Sequence, residues 1–248
     1  MTKFFRKIRQ NVLAEKKVSR FLIYSIGEII LVVVGILIAV KIDDLNQEAQ
    51  QEAQQKKYFE GIIIDLKRDS IHFEQLHNDF KIHLDHYYTI FKGIKDNSIS
   101  VVPRDIELML YNRTFAPVTQ KNHQVTIDKI TNAEVRTLLN DYFANQELAK
   151  EGMDEFNKNI VEQSRPFIQS MDALHYDSVF HDNKYGFLPS VSLIKKERIP
   201  ILLQDKRILQ ILAFLRISSG LVISDLKRLK TKNSTLIKRL DKISKEKN

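Results

Sequence analysis

Apolar residues along this chain form one continuous run and three periodic stretches. The continuous run is Phe21 to Ile42, FLIYSIGEIILVVVGILIAVKI, in which Glu28 and Lys41 are the only charged residues. A membrane-spanning helix needs about 20 mostly apolar residues. No other stretch of the sequence meets this condition, so the pattern predicts a single transmembrane helix at 21–42.

The first periodic stretch begins at Phe59, where apolar positions recur at alternating spacings of four and three residues. This spacing is typical of a helix with one buried face. The stripe is Phe59, Ile63, Leu66, Ser70, Phe73, His77, Phe80, Leu84, Tyr87 and Phe91. We expect the helix to break at Gly93 and the Asp96-Asn97-Ser98 cluster. Residues 43–57 are rich in Gln, Glu and Ala without an apolar face, and they predict a solvated helical stalk.

Two further long helices are predicted. Thr131 to Glu134 fits a capping box, in which the Thr hydroxyl and the Glu carboxylate accept from free backbone N–H groups. Pro166 should kink or end the helix that starts there. The last helix has an unbroken seam from Ile208 to Ile243, in which Asn233 is either a register-setting polar residue or a gap in a fraying seam.

These elements predict an all-α protein with four parts. They are a basic cytoplasmic segment (1–20), a single N-terminal transmembrane helix (21–42), a helical stalk (43–57) and an elongated antiparallel helical bundle outside the membrane (58–248). The connections at 93–130 and 175–203 are irregular, apart from a short helix opened by Pro103 and a loop at Phe115 to Pro117.

Charge changes the picture because it is concentrated at the two ends. The net charge is +8, of which residues 1–20 carry +6 and residues 225–248 carry +6, so that the body between them is −4. An acidic body excludes nucleic acid as the expected partner. The basic N-terminal block predicts a cytoplasmic N-terminus and a C-terminal domain on the other side of the membrane.

The basic C-terminal helix end is either a solvated face or a contact to anionic headgroups. A simple three-helix bundle would place it far from the membrane, and that is our expectation. There is no cysteine, so the chain has no disulfide or thiolate chemistry. A cleaved signal peptide is disfavoured, because Ile38 to Ile42 lacks the paired small residues of a cleavage site.

The opening of the chain resembles a known family. It reads Lys3 to Gln10, KFFRKIRQ, and then Ile26 to Ala39, IGEIILVVVGILIA. This pattern is similar to that of uncharacterised single-pass membrane proteins, a domain of unknown function common in flavobacteria and their relatives. The strong resemblance covers residues 1–45, and Asn132 to Tyr142 is similar to a second, weaker motif. The usual Asn-Asn-Trp-Asn exit is replaced by Asp43-Asp44-Leu45-Asn46. The resemblance implies an inner-membrane protein of a Gram-negative cell and no activity.

Glu28 is the most unusual residue of the predicted span. On a helical projection Glu28, Gly35 and Ala39 share one narrow sector, and a Gly-xxx-Ala pair lets helix backbones approach closely. A carboxylate inside a membrane is costly and favours a hydrogen-bonded contact. The face therefore predicts transmembrane packing, either in a homo-oligomer or against a membrane-protein partner. The alternative is a protonated Glu28 that bonds to Tyr24 or Ser25 one turn away.

Histidines form the other candidate cluster. Asp79, His83 and His86 have a spacing that allows zinc ligation, but one helix face gives poor tetrahedral closure. We expect His72, Asp79, His83 and His86 to be a solvated face, and His77 to be a core residue. The sequence has no P-loop, nucleophile elbow or dinucleotide motif. We therefore expect no catalytic residue, metal or cofactor.

These observations predict a membrane-anchored interaction or scaffold module that is not an enzyme. The first alternative is a ligand-sensing bundle that signals through a partner, although no particular small molecule is indicated. The second is a metal-dependent hydrolase.

Overall fold

The structure, a computed structural model, describes residues 17–96, 100–177 and 192–246. The protein is all-α, as predicted: the described residues contain no strand, only an isolated bridge between Leu174 and Ile194. The α-helices are α1 Lys17–Asp96, α2 Pro103–Glu107, α3 Thr119–His123, α4 Ala133–Asn159, α5 Arg165–Ser170, α6 Ile199–Gln204 and α7 Arg207–Glu246. Two 3₁₀ turns, Ile127–Lys129 and Lys196–Arg198, and a π-helical turn, Ile160–Ser164, complete the list.

The chain divides into two compact units, Met1–Lys57 and Tyr58–Asn248. Within the first unit, Leu22 and the large apolar side chains from Ile26 to Ile42 are exposed, by 47% to 74%. They are carried by α1, which does not break at Gly93 but continues to Asp96. The prediction of the end of this helix was therefore a few residues short.

The second unit has a hydrophobic core built from α1, α4 and α7. The stripe predicted on α1 is largely buried, although Leu84 and Ser70 are half-buried and Phe91 is 41% exposed. All the seam positions of α7 from Ile208 to Ile243 are buried, including Asn233 at 1%. The 4-3 spacing therefore identified the core faces of both helices correctly.

The helix directions are set by a segment that the sequence predicts only as a connection. Residues 100–130, which we call the return segment, run back along α1, from Asp105 beside His86 to His123 beside Asp65. As a result α4 runs parallel to α1, with Tyr142 near Asp69 and Phe156 against Phe80.

Helix α7 runs antiparallel to both other long helices, as ion pairs along its length show. Lys230 pairs with Glu74 of α1, and Lys232 and Arg239 pair with Asp141 and Glu134 of α4. The basic end of α7 therefore lies at the end of this unit where Tyr58 begins, whereas a simple three-helix bundle would place it at the opposite end of the unit. The return segment provides the extra crossing that brings the chain back.

Pro166 does not end the second long helix. The chain passes through the π turn Ile160–Ser164 and continues as α5, with Pro166 in its first turn. Proline has no N–H and its ring clashes with the carbonyl four residues earlier. A wider turn just before proline removes both problems, and such π turns are single insertions inside α-helices.

Helix α4 is capped by a different residue from the predicted one. Asn132 is the N-cap, and its side-chain oxygen accepts a hydrogen bond from Val135 N at 3.0 Å. The capping box at Thr131 was therefore wrong by one residue. Asn is as good an N-cap as Thr, because its short side chain reaches the same free N–H groups.

Candidate functional site

A constellation of hydrogen-bonded polar side chains lies along α1, facing the return segment. It consists of Asp65, Asp69, His72, His83 and His86, and we call it the polar seam. Each of its residues stands directly before a residue of the apolar stripe. The polar seam therefore repeats the same 4-3 spacing one position earlier and widens the buried face of α1.

At one end of the polar seam, Asp65 is held by the return segment. Its carboxylate accepts hydrogen bonds from Asn122 Nδ2 at 2.8 Å and from His123 Nε2 at 3.0 Å, and Arg68 pairs with it from α1. Burial raises the pKa of Asp65, but the hydrogen bonds from Asn122 and His123 outweigh it and hold that pKa below its ordinary value.

Asp69 is the centre of a buried network. Only 1% of it is exposed, and its carboxylate accepts from the backbone N–H groups of Val118 and Thr119 at 2.6 and 3.2 Å. Two side chains of α4 also donate to it, Tyr142 Oη at 3.2 Å and Gln146 Nε2 at 3.0 Å. One carboxylate thus joins α1, the return segment and α4.

The network extends to α7 through Asn233. Its Nδ2 donates to Leu66 O at 2.8 Å and to Tyr142 Oη at 3.0 Å. Of the two interpretations of Asn233, the structure supports the register-setting residue, because these bonds form at one alignment of the three helices. Burial, and then the neighbouring Asp69 charge, raises the pKa of Tyr142, so the phenol stays protonated.

His83 forms the other half of the polar seam. It is 1% exposed, its Nε2 lies 2.5 Å from Arg113 Nη2 and its Nδ1 lies 3.1 Å from Tyr87 Oη. Burial, followed by the charge of Arg113, lowers the pKa of His83 to about 3. A neutral ring that accepts from Arg113 through Nε2 carries its proton on Nδ1 and donates it to Tyr87.

Arg113 is itself fixed in place by α4. Its backbone N–H donates to Asn157 Oδ1, and Asn157 Nδ2 donates to its carbonyl, both at 2.8 Å. At the end of the π turn, Ser164 Oγ donates to Met109 O, and Arg165 Nε, from the first residue of α5, donates to Leu110 O. The return segment is therefore held between α1 on one side and α4 with the π turn on the other.

The prediction that His72, Asp79, His83 and His86 form a solvated face was wrong for three of these residues. His72 Nε2 accepts from Ala116 N at 3.2 Å, and His86 Nδ1 lies 2.5 Å from Asp105 Oδ1. The return segment covers this face, which no local pattern reveals. Asp79 is exposed as expected, and His77 is a core residue, 6% exposed.

The polar seam suits a structural role better than a chemical one. Its carboxylates and imidazoles each bond to protein partners, and Asp69 and His83 are closed to solvent. Within the described ranges no group of three or more His, Cys, Asp or Glu side chains is arranged to hold a metal ion. The hydrogen bonds of the polar seam with residues such as Arg113 and His123 fix the return segment on α1.

A second feature is a groove between the end of α1 and the start of α7. It has a volume of about 510 Å³ and is lined mainly by apolar and aromatic side chains, with Lys95 and Arg216 as its charged residues. Tyr88 and Phe91 in its wall are 59% and 41% exposed. No local sequence pattern reveals this groove, because its two walls are more than a hundred residues apart in the chain.

The predicted transmembrane packing residues lie in the first unit. Glu28, Gly35 and Ala39 are on α1 and exposed. A Cβ added to Gly35 would meet no atom within 4 Å. Packing of this face against another helix therefore stays a prediction. The side chain of Tyr24, the alternative partner of Glu28, lies outside the described residues.

Two helices in the described part of the chain are long and apolar enough to cross a membrane, Ser25–Asp96 and Arg207–Lys245. The apolar window of the first is not buried at all, whereas 39% of the window of the second is buried. The prediction of one qualifying stretch thus missed the apolar start of α7.

Fold and site together define an all-α protein that has a long N-terminal apolar helix and a helical bundle. Its residues 28–130 match the model of a family of unknown function, DUF6090. This confirms the predicted resemblance to a domain of unknown function. The match overlaps the predicted stretch 1–45 only from residue 28 onward, continues through α1 and the return segment, and does not include the second motif at Asn132 to Tyr142. The match thus includes the polar seam on α1 and the return segment that faces it. Neither the curated proteins nor the solved structures contain a significant match to the chain.

Proposed function

We propose that this protein is a membrane-anchored interaction module, in which the apolar part of α1 spans the bacterial inner membrane once and the bundle acts in the periplasm without catalysis. The observation that carries this proposal is the exposed apolar run from Ile26 to Ile42. Leaving so much apolar surface in water is unfavourable by about 25 cal/mol per Å². A lipid bilayer covers it without any protein partner.

Orientation follows from charge. The seven Lys/Arg residues of 1–20 face one acid, whereas the 15 residues after Ile42 hold two Lys and four acids. The positive-inside rule then favours a cytoplasmic N-terminus.

The hydrogen bonds of the polar seam hold the return segment on α1, which suits a rigid scaffold.

An exposed stripe on α7 supports the interaction role. Phe214, Ile217 and Leu221 are 42%, 57% and 58% exposed and recur at intervals of three and four residues, so they share one side of the helix. Exposed apolar patches often mark protein contacts. A homo-oligomer or a membrane-protein partner would cover this side, and the face of Glu28, Gly35 and Ala39 would make the contact inside the membrane.

The test is a topology assay followed by partner recovery. A periplasm-active reporter fused after Asn248 should be active, and replacing the seven leading Lys/Arg residues should scramble the orientation. Recovery of the fused protein in the soluble fraction, or activity of only a cytoplasmic reporter, would contradict the proposal. Cross-linking in intact cells then identifies partners, and Ile217→Lys should lower their recovery while Lys227→Gln should not.

One observation favours the alternative of a ligand-sensing bundle, namely the groove between α1 and α7. Its volume of about 510 Å³ lies within the range of small-molecule sites, about 300–1,000 Å³. In that case the ligand would change the α1–α7 contact, and a partner would transmit the change.

A further inference from the structure

The groove between α1 and α7 combines an apolar wall with positive charge. Leu212, Ala213, Tyr88 and Phe91 supply apolar and aromatic surface from the two helices. The half-exposed Tyr88 and Phe91 rings gain free energy when an apolar partner covers them, at about 25 cal/mol per Å² of buried surface. The wall therefore favours an aliphatic or aromatic body.

Both ionised side chains of the groove are cations. Lys95 comes from α1 and Arg216 from α7, and none of the described residues that line the groove is acidic. A third cation, Lys92, lies with its Nζ 5.4 Å from the centre of the Tyr88 ring. The charged side chains that line the groove are thus positive, although residues 21–224 as a whole carry a net negative charge. Arginine and lysine together are well suited to a carboxylate, which accepts two hydrogen bonds from a guanidinium.

We propose that this groove is a binding site for a small amphiphilic carboxylate, whose aliphatic chain packs on Tyr88, Phe91 and Leu212 and whose head group binds Lys95 and Arg216. The size argues for a small molecule, because about 510 Å³ holds a ligand of modest length. Charge complementarity argues for an anion, since a neutral or cationic head group would leave both cations without a partner. The site lies within the second unit and does not depend on the membrane anchor or on a protein partner.

The experiment is photoaffinity labelling of the full chain in non-ionic detergent. The probe is a decanoate analogue with a diazirine in its chain, and the labelled peptides are identified by mass spectrometry. Label is expected in the peptides that contain Tyr88 to Lys95 and Leu209 to Arg216. Unlabelled decanoate should compete, whereas decanol and decyltrimethylammonium, which have the same chain, should compete at least about tenfold more weakly.

Variants then separate the head-group contact from the apolar wall. The double variant Lys95→Gln/Arg216→Gln should lower labelling of these peptides at least about tenfold, because it removes both charged donors. Lys227→Gln/Lys238→Gln removes two exposed cations elsewhere on α7 and should leave labelling unchanged. Ala213→Trp should also block labelling by filling the groove. Circular dichroism and the melting temperature check that each variant is folded, and the Gln variants replace exposed residues that the core does not need.

Several outcomes would overturn the proposal. Equal competition by decanol would show that apolar contact alone drives labelling. Label spread over the chain, or unchanged in the Lys95→Gln/Arg216→Gln variant, would exclude a specific site. Cross-links between two copies through residues 88 and 213, with no label in the groove, would show that a second chain is its occupant. Because none of these outcomes depends on membrane insertion or partner recovery, the result is independent of the interaction role.

Discussion

Two residues of the polar seam, Asp69 and His83, are buried polar side chains whose hydrogen bonds reach other parts of the chain. Both are 1% exposed, and both lie on α1 among apolar neighbours. A buried polar group is unfavourable unless its hydrogen bonds are made. Their partners come from the return segment and α4, so these two residues connect parts of the chain that local sequence patterns leave separate.

His83 makes the stability of the protein depend on pH. Its pKa in the folded state is about 3, below the ordinary 6.5, because burial and Arg113 disfavour the charged ring. The unfolded chain therefore binds a proton at this histidine more readily than the folded chain does. The contribution of His83 to the free energy of unfolding is fully present above about pH 6.5 and is lost as pH falls toward 3. We expect His83→Gln to flatten the fall in melting temperature over this range, although it lowers the melting temperature at neutral pH.

The other titratable groups near His83 are His86, Arg104 and Tyr87. His72 and His77 also have lowered pKa values through burial, so they add to the same acid sensitivity. Thermal melts of the wild type and of His83→Gln between pH 3 and 8 make the comparison. Parallel curves for the two proteins would show that His83 does not titrate on unfolding.

Asp69 should be among the least replaceable residues of the second unit. Asp69→Ala leaves two backbone N–H groups and the donors of Tyr142 and Gln146 without their acceptor. We expect a loss of about 3 kcal/mol or more in the free energy of unfolding. The control is Asp79→Ala on the same helix, which is exposed and should change it by less than about 0.5 kcal/mol. Equal effects in a urea titration would contradict the network.

At the scale of elements, the long helices form where spacing and capping require them, and two local devices adjust their ends. The π turn Ile160–Ser164 carries the second helix past Pro166, and Asn132 starts α4. Both devices are local, but neither could be assigned from the sequence. Pro166 is compatible with a break or a bulge, and Thr131 and Asn132 are both good N-caps.

The cap of α4 can be tested by three substitutions at one position. Asn132→Ala removes the acceptor of Val135 N and should lower the free energy of unfolding by about 1 kcal/mol. Asn132→Asp and Asn132→Ser keep an acceptor, and we expect each to retain most of this stability. A loss as large for Asp and Ser as for Ala, measured by thermal melts, would show that the cap contributes nothing.

At the scale of the whole molecule, the prediction that matters most concerns Gly35. Gly35→Leu places a large side chain where a Cβ has no neighbour within 4 Å, so the chain itself tolerates it. If Glu28, Gly35 and Ala39 pack on another helix, this variant should lower self-association or partner recovery, because it blocks close approach. Val33→Leu, on another side of the same helix, is the matched control.

The measurement for this pair is cross-linking of membranes followed by quantification of the higher-mass species. Indistinguishable behaviour of the Gly35→Leu and Val33→Leu variants would remove the argument for a specific face.

The basic end of α7 is a less promising membrane contact than its charge indicates. Arg228, Lys230, Lys232 and Arg239 already pair with carboxylates of the bundle.

The fold class, the apolar run at 21–42 and the core faces of α1 and α7 could all be predicted from the sequence. These properties follow from local spacing, because each residue's face on a helix depends only on its position in that helix. Asn233 stood out as a polar residue in an apolar seam for the same reason. The resemblance to a domain of unknown function was also visible in a continuous stretch of residues.

What lies against each of these faces depends on the folded arrangement of the helices. The burial of His83, the parallel arrangement of α1 and α4, and the groove between α1 and α7 all depend on where the return segment and α7 are placed. Such placement results from contacts between residues far apart in the chain, such as His83 with Arg113 and Asp69 with Tyr142. The local sequence around His83 does not distinguish a histidine bonded to Arg113 from one that faces water. The two differ only in a partner that folding brings from 30 residues away.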